Sequence, residues 1–330
     1  MRAIGLDFEH RTLAERSVPV QSEPRSGEVL LRVHEVGICA TDRELAKFRF
    51  GLPPEGESFL TLGHEALAQV EVGDERWPKG SWVAPMIRRS CSPACSHCAQ
   101  GRRDLCQTGE YLERGINRAH GYLMPFTVDA SSELLAVPES LLDVAALAEP
   151  LSVVEKAVET SLRAHPMEPK TAVVAGAGPV GILTTLLLQL KGLAVTVVSL
   201  EPEDHPRVQL LQQAGALYLR GRQPARADLV FEAAGGALHL LDWLAPCGVL
   251  MLIGAAEEDM PLPPLRMLVD NLTVAGTVNA GRAHFQQAIE DLGRIPRHLL
   301  AAMLERRGLD EWRGSFSGSP VIPKIVHRLD

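Results

Sequence analysis

Cys91, Cys95, Cys98 and Cys106 fall in one short segment, RRSCSPACSHCAQGRRDLC, with three, two and seven residues between them. Cysteines so spaced can form disulfides, hold a metal or supply a reactive thiol. No secretory signal is visible: Met1 leads into MRAIGLDF, which reads as the start of a strand, with no apolar run behind a basic end. The expectation is a reducing, cytoplasmic setting in which disulfides rarely persist, so the four side chains are read as metal thiolates. Four thiolates in a short loop close a tetrahedral zinc site with no exchangeable position, and such a zinc is structural. His97 lies inside the loop, but a full cysteine set does not need it.

A zinc that does chemistry needs three protein ligands and an open position. Two stretches upstream offer suitable side chains: GICATD, with Cys39, and LGHEA, with His64 and Glu65. Taken singly, Cys39 also fits a small buried hydrophobe, and His64 a satisfied core histidine. A third stretch, GAGPVG, sets Gly176, Gly178 and Gly181 after a strand and before a helix, the context a dinucleotide turn requires. Gly176 permits the tight turn, Gly178 the approach of a pyrophosphate, and Gly181 close packing of helix on strand. Pro179 and Val180 open the helix, whose free N–H groups then face the anion.

The partner of the ribose hydroxyls belongs at the end of the following strand, about twenty residues on. Ser199, Leu200 and Glu201 stand there. A small residue at 199 leaves room for a 2′-phosphate. Glu201, Glu203 and Asp204 nevertheless make the place acidic, and the nearest arginine is Arg207. Charge repulsion therefore favours NAD, with NADP still open.

These motifs need elements to hold them. A chain of 330 residues suits two domains rather than one. The first part reads as β-rich: EVLLRVHEVGIC and SWVAPMI carry strand character, with PRSG and WPKG as punctuation. Ser140–Leu162 is apolar at helical spacing, and Pro150 is expected to break it in two. From Lys170 onward strand and helix alternate. TAVVAG, AVTVVSL, ADLVFEAAG, VLMLIGAA and NLTVAGTV are expected strands; PVGILTTLLLQLKG, HPRVQLLQQAGA and ALHLLDWLAPCG are expected helices. That order predicts a doubly wound, mainly parallel α/β sheet. AHFQQAIEDLGRI is a further helix, and the last residues are expected to return to the first domain. The divisions are 1–150, with the cysteine lobe at 88–106, then 151–277, then 278–330.

Several classes are disfavoured. The net charge of −8 argues against nucleic acid as a partner, since a phosphate backbone selects for clustered lysine and arginine. Arg102-Arg103 and Arg306-Arg307 read as solvated pairs. Thr171–Leu190 has no charge and is long enough to span a bilayer, but its glycines divide it into strand, turn and helix, so no membrane partner is expected.

Taken together, GICATD, LGHEA, the cysteine lobe and GAGPVG resemble the zinc-dependent medium-chain alcohol dehydrogenase superfamily, in that family's order and over nearly the whole chain. RRSC, TGEYLERGINRAHGY, AEPLSVVEKA, EDHPRVQLL and TVNAGRAHFQQAIEDL resemble its glucose dehydrogenase branch. The resemblance implies a GroES-like catalytic domain, a Rossmann domain and an active site in the cleft between them. It implies that Cys39 and His64 hold the catalytic zinc. Glu149 of AEPLSV would be another ligand, directly or through water, beside the substrate. Glu65 would sit beside the metal and exchange with water or substrate. Asp42 would accept the second ring N–H of His64. Thr41 would bond the substrate hydroxyl and relay its proton, while Glu113 and Asn279 would contact sugar hydroxyls, Asn279 also meeting the cofactor.

The implied reaction is hydride transfer from the anomeric carbon of an aldose to NAD or NADP, giving a lactone. A homodimer or homotetramer is implied as well. A zinc-dependent polyol or alcohol dehydrogenase is the alternative enzyme, and a non-catalytic nucleotide-binding protein the alternative of another kind. Each residue also has a plainer role: Asp42 as a cap for a helix at RELAKF, Glu149 as a helix-end charge, Glu113 and Arg114 as an exposed pair, Asn279 as a turn residue. The chain departs from the family at four places. Ser92, Pro93 and Ala94 separate the first two lobe cysteines where two residues are usual. Ile87 and Val153 are apolar where some relatives offer polar sugar contacts, and Leu200-Glu201 replace a basic pair common in NADP-preferring members.

Overall fold

Glu28–Ile38 is the hub of the first sheet. This strand is buried along nearly its whole length, with only Glu28, Arg32 and His34 more exposed, and it is paired on both edges. Glu65–Val72, Phe126–Ala130 and Lys324–Arg328 all run antiparallel to it. The computed structural model describes residues 1–19, 23–236, 239–255, 259, 261–318 and 320–329. Trp82–Pro85 and Leu134–Ala136 extend the sheet at one edge and Leu304–Gly308 at the other. Val33, Val36, Ile38, Leu60, Leu62 and Tyr122 fill one core beneath it.

The second sheet has six strands, in the order Leu217–Arg220, Ala194–Ser199, Thr171–Ala175, Ala227–Glu232, Leu244–Leu252, Thr273–Gly276, and every pairing is parallel. Its central strands are almost wholly apolar because elements cover both faces. The order of connection reverses at Thr171–Ala175, which opens a crevice at the carboxyl ends of the strands. Ala148–Ala164 joins the two sheets, and packs against Pro179–Leu190 and Arg282–Leu292.

Some expectations are corrected. Pro150 does not break a helix. It lies in the first turn of Ala148–Ala164, where its missing N–H has no partner to lose, and the break falls earlier, in two 3-10 turns at Glu139–Leu141 and Ala145–Leu147. The helix expected over ALHLLDWLAPCG is absent among the described residues; 237–238 lie outside them. Leu240–Trp243 is a 3-10 turn, and the strand Leu244–Leu252 begins at once. Pro246 and Gly248 oppose a helix there, while the buried leucines serve a strand equally well. Leu217–Arg220 is a strand not anticipated, and so is the short helix Pro264–Val269. The arginine pairs are not free surface: Arg103 meets Glu133, Arg102 meets Asp104 and Arg306 meets Glu35. Among the described residues no helix is long and apolar enough to cross a membrane.

Candidate active site

Cys39 directly follows the hub strand and stands at the N-cap of the helix Ala40–Ala46. Its backbone N–H donates to Asp42 Oδ2 at 2.8 Å, so Asp42 caps this helix from inside its first turn. The other carboxylate oxygen, Oδ1, lies 3.3 Å from His64 Nδ1. One buried side chain thus caps the helix and faces His64. Burial pushes the Asp42 carboxyl up, but His64 and the Cys39 N–H outweigh it and hold it below the usual range. Burial pulls His64 down and Asp42 overcomes that, raising it well above the ordinary imidazole value. With Nδ1 facing Asp42, Nε2 is the nitrogen left to coordinate. Thr41 Oγ1 is 3.7 Å from the Cys39 sulfur.

Sheet register delivers the rest. Gly37 pairs with Glu65 and Ile38 with Ile325, so Glu65 and Lys324 arrive beside Cys39 from two neighbouring strands. A Cβ on Gly37 would stand 2.1 Å from Glu65 Oε2; glycine is what leaves room for this carboxylate. Lys324 Nζ donates to both Glu65 oxygens, at 2.6 and 2.7 Å, and both side chains are buried. Burial alone would depress the ammonium, but the Glu65 carboxylate outweighs it and raises it. Sequence reasoning missed Lys324: it sits in no motif, and only the strand pairing reveals it.

The ligand atoms of Cys39, His64 and Glu65 lie within 4.8 Å of one another. A thiolate, an imidazole and a carboxylate in a buried setting form a donor set that suits zinc. Glu149 is outside that tight trio, in the first turn of Ala148–Ala164. Its carboxyl is pushed up to about 7, by burial first and by the charges of Glu65 and Asp42, against the pull of His64 and Lys324.

Glu113 and Asn279 are brought together across the chain: Asn279 Nδ2 donates to Glu113 Oε1 at 2.9 Å. Arg88 Nε donates to the same oxygen at 2.9 Å, and its guanidinium lies 3.7 Å from the centre of the Tyr111 ring. Arg88 was read only as part of a string; Glu113 is buried rather than one of an exposed pair. The loop that follows packs on the histidine's neighbour, since a Cβ at Gly115 or Gly121 would come within 2.3 Å of the Gly63 carbonyl oxygen. Asn279 also does the work of a turn residue, at φ +58° with its side chain accepting from the Ala280 N–H.

The GAGPVG turn has the shape a nucleotide needs. Gly176 adopts φ +111°, and a Cβ there would press on the Ala233 carbonyl. Gly178 caps Pro179–Leu190 and faces open space, as an approaching pyrophosphate requires. A Cβ on Gly181 would lie 2.1 Å from the Gly176 carbonyl oxygen. At the end of the next strand Ser199 Oγ is 3.0 Å from Tyr218 OH, which donates to the Glu201 carbonyl at 2.5 Å. Tyr218 was not anticipated. Burial pushes the Glu201 carboxyl up, but Ser199 and Arg207 outweigh it, so it stays ionised. Arg207 also donates to the Val321 and Pro320 carbonyls, which engages the one nearby guanidinium the sequence had offered.

In the lobe, the sulfurs of Cys91, Cys95, Cys98 and Cys106 lie within 4.8 Å of one another. Backbone N–H groups of Gln107 and Cys98 bring the Cys95 thiol down to about 6, while burial drives Cys98 up to about 12. Amides aimed at clustered sulfurs suit a thiolate–metal site. His97 Nδ1 is engaged at 2.7 Å with the Leu105 carbonyl.

A GroES-like domain beside a Rossmann domain, with a buried zinc-type donor set, defines a zinc-dependent dehydrogenase of the medium-chain alcohol dehydrogenase type. The profile of the alcohol dehydrogenase GroES-like domain matches residues 25–142, and that of the glucose dehydrogenase C-terminus matches 142–321. A glucose 1-dehydrogenase of Thermoproteus tenax is 38% identical over 89% of this chain and 90% of its own. A glucose 1-dehydrogenase of Vulcanisaeta moutnovskia is 37% identical over 82% of this chain and 81% of its own. The structure of Haloferax mediterranei glucose dehydrogenase in complex with NADP, Zn and gluconolactone superposes with a TM-score of 0.92 at 28% identity, covering 100% of this chain and 99% of that one. The chain belongs to the glucose dehydrogenase branch of the zinc-dependent medium-chain alcohol dehydrogenases.

Proposed function

We propose that this protein oxidises an aldose such as glucose at its anomeric carbon, giving the lactone and passing hydride to a nicotinamide cofactor. The observation that carries the reading is the meeting of Glu113 with Asn279, at 2.9 Å, on a loop that packs against the residue before His64. A polar pair there can sort sugar hydroxyls, which a simple alcohol pocket does not need. Family membership supports the same chemistry.

Cys39 and His64 would hold the catalytic zinc, with Glu149 or Glu65 completing the set. When bound, this zinc supplies Lewis acidity at the reacting hydroxyl, and the nicotinamide is the hydride acceptor. Asp42 fixes the orientation of His64 through Nδ1. Thr41 Oγ1 takes the proton of the substrate hydroxyl and hands it outward. Lys324 balances Glu65. Glu113 and Asn279 would hold and orient the sugar ring through its hydroxyls. Gly176, Gly178, Pro179, Val180 and Gly181 would cradle the pyrophosphate, Asn279 would border the cofactor, and Ser199 and Glu201 would receive the adenosine ribose. The ionised Glu201 favours NAD over NADP. Cys91, Cys95, Cys98 and Cys106 would hold a structural zinc.

The same reading divides the chain into a catalytic part at 1–150 and 278–330 and a nucleotide part at 151–277; the pairing of Lys324–Arg328 with Glu28–Ile38 supports the return. It also includes a homo-oligomer. Leu265, Leu268 and Val269 are 66–76% exposed on a helix that buries none of its residues, beside the edge strand Thr273–Gly276. Six free cysteines support a reducing compartment such as the cytoplasm.

The test is nucleotide reduction, followed by absorbance, with glucose, galactose, xylose, sorbitol and ethanol, each with NAD and with NADP. Aldose turnover that chelation abolishes is expected. Turnover with sorbitol or ethanol alone would keep the zinc chemistry and discard the sugar. No turnover by folded, zinc-loaded protein would discard the aldose reading.

A further inference from the structure

A chain of buried charges runs from the cysteine lobe to the Glu113–Asn279 pair. Asp104, in the 3-10 turn Arg103–Leu105 of the lobe, has a fully buried carboxylate. Lys156 approaches it from the helix Ala148–Ala164, with Nζ 3.0 Å from Asp104 Oδ2 and the side chain 6% exposed. The same ammonium donates to the Val278 carbonyl at 3.0 Å. Val278 is the residue before Asn279. Two residues beyond Asn279, a Cβ on Gly281 would lie 3.2 Å from Asp104 Oδ1, so the backbone there runs close to the lobe carboxylate. On the other flank Arg88 Nη1 reaches the Asp104 carbonyl at 3.4 Å while its Nε holds Glu113. Asp104 and Lys156 therefore grip both partners of the pair, one through Arg88 and one through the backbone of 278–281.

Nothing in the hydride-transfer machinery uses Asp104 or Lys156. A buried ammonium and carboxylate carry a desolvation cost that apolar side chains would avoid. Their geometry does one thing an apolar pair could not: it pins a carbonyl one residue from Asn279, whose left-handed backbone at φ +58° is otherwise held by a local turn. The three bonds at Glu113 all converge on Oε1, which leaves Oε2 outside the cluster.

We propose that Asp104 and Lys156 are positioning residues for the sugar site, through which the cysteine lobe sets affinity for the sugar. This rests on the reading of Glu113 and Asn279 as sugar contacts. The lobe then does more than staple a loop: its 3-10 turn, just ahead of Cys106, places Asp104, and Asp104 holds the sugar contacts.

The test compares Lys156→Met/Asp104→Asn, which removes both charges together, with Lys156→Arg, Glu113→Gln and the parent enzyme, all zinc-loaded. The readouts are KM for glucose at saturating cofactor, KM for the cofactor, kcat, and gluconolactone binding by calorimetry. The double variant is expected to raise the glucose KM and weaken lactone binding about tenfold or more, with kcat and cofactor KM within about twofold. Lys156→Arg, which can still reach a carbonyl, is expected to restore most of the affinity. If Glu113→Gln raises the glucose KM and the folded double variant does not, the inference fails while the sugar reading stands. If kcat and both KM values fall or rise together, the pair is merely structural and the inference fails. If Glu113→Gln leaves glucose KM unchanged, the sugar reading fails and the inference with it. Should the double variant not fold, Lys156→Met alone, which removes the Val278 contact and leaves Asp104 paired with Arg102, carries the same comparison.

Discussion

Glu155 offers a pH-dependent stability that can be worked out in advance. It lies on the buried side of Ala148–Ala164, 4% exposed. Facing it are the Asp291 carboxylate from Arg282–Leu292 and Lys191 at the end of Pro179–Leu190, whose ammonium is 3.7 Å away. Gln287 and Arg294 occupy Asp291 from the same region. Burial, then Asp291, pushes the Glu155 carboxyl from 4.5 to about 8, against the weaker pull of Lys191. A raised acid binds its proton more tightly in the folded chain than in the unfolded one. Its contribution is therefore fully present below about pH 4.5 and is lost as pH rises through about 8. At roughly 1.4 kcal/mol per pH unit, the whole window amounts to about 3–5 kcal/mol. Glu155→Gln keeps the shape and cannot ionise. Its melting temperature, by differential scanning fluorimetry at fixed zinc, should match the parent near pH 4.5 and exceed it near pH 9. The difference should be on the order of 10 °C, given about 2–4 °C per kcal/mol. A difference that does not change with pH would refute the reasoning. So would a parent that gains on the variant as pH rises, which would mean that Lys191 wins over burial.

Three further outcomes are expected. Lys324→Met leaves the Glu65 carboxylate buried without its cation and should cost about 3–5 kcal/mol in thermal unfolding, with Lys324→Arg milder; an unchanged melting temperature would dissolve the pair. Gly181→Ala drives a Cβ to 2.1 Å from the Gly176 carbonyl oxygen, so NADH binding followed by fluorescence should weaken at least about tenfold, and undiminished binding would contradict the turn geometry. Glu201→Arg should move the ratio of NAD to NADP dissociation constants toward NADP by about tenfold or more, which is about 1.4 kcal/mol; a ratio that does not move would remove Glu201 from the ribose site.

Local chemistry is what the sequence states most directly. A dinucleotide turn needs its glycines at fixed offsets, and four thiolates around one metal must come from one short loop, so both can be recognised within a few residues. Cys39 and His64 were recognisable for a related reason, each lying in a compact string. The alternation of strand and helix after Lys170 likewise follows from local periodicity, and the parallel sheet follows from it.

What lay beyond the sequence depends on contacts between distant residues. Leucines at 240, 241 and 244 suit the core of a helix, yet the first two fall in a 3-10 turn and the third opens a strand, which the neighbouring strands decided. Pro150 looked like a breaker because its position within a helix is invisible until the first turn is located. Arg306 looked solvated because Glu35 is far away in the chain. Lys324 reaches Glu65, Lys156 reaches both Asp104 and Val278, and Tyr218 reaches Ser199, all without a motif. The sequence by itself determined the candidate donor atoms, the nucleotide turn and the two kinds of domain, since these rest on residue type and short spacing. Only the tertiary structure decided which charges face one another, because a buried ion pair is chosen by sheet register and helix packing, and these bring together residues that the sequence keeps apart.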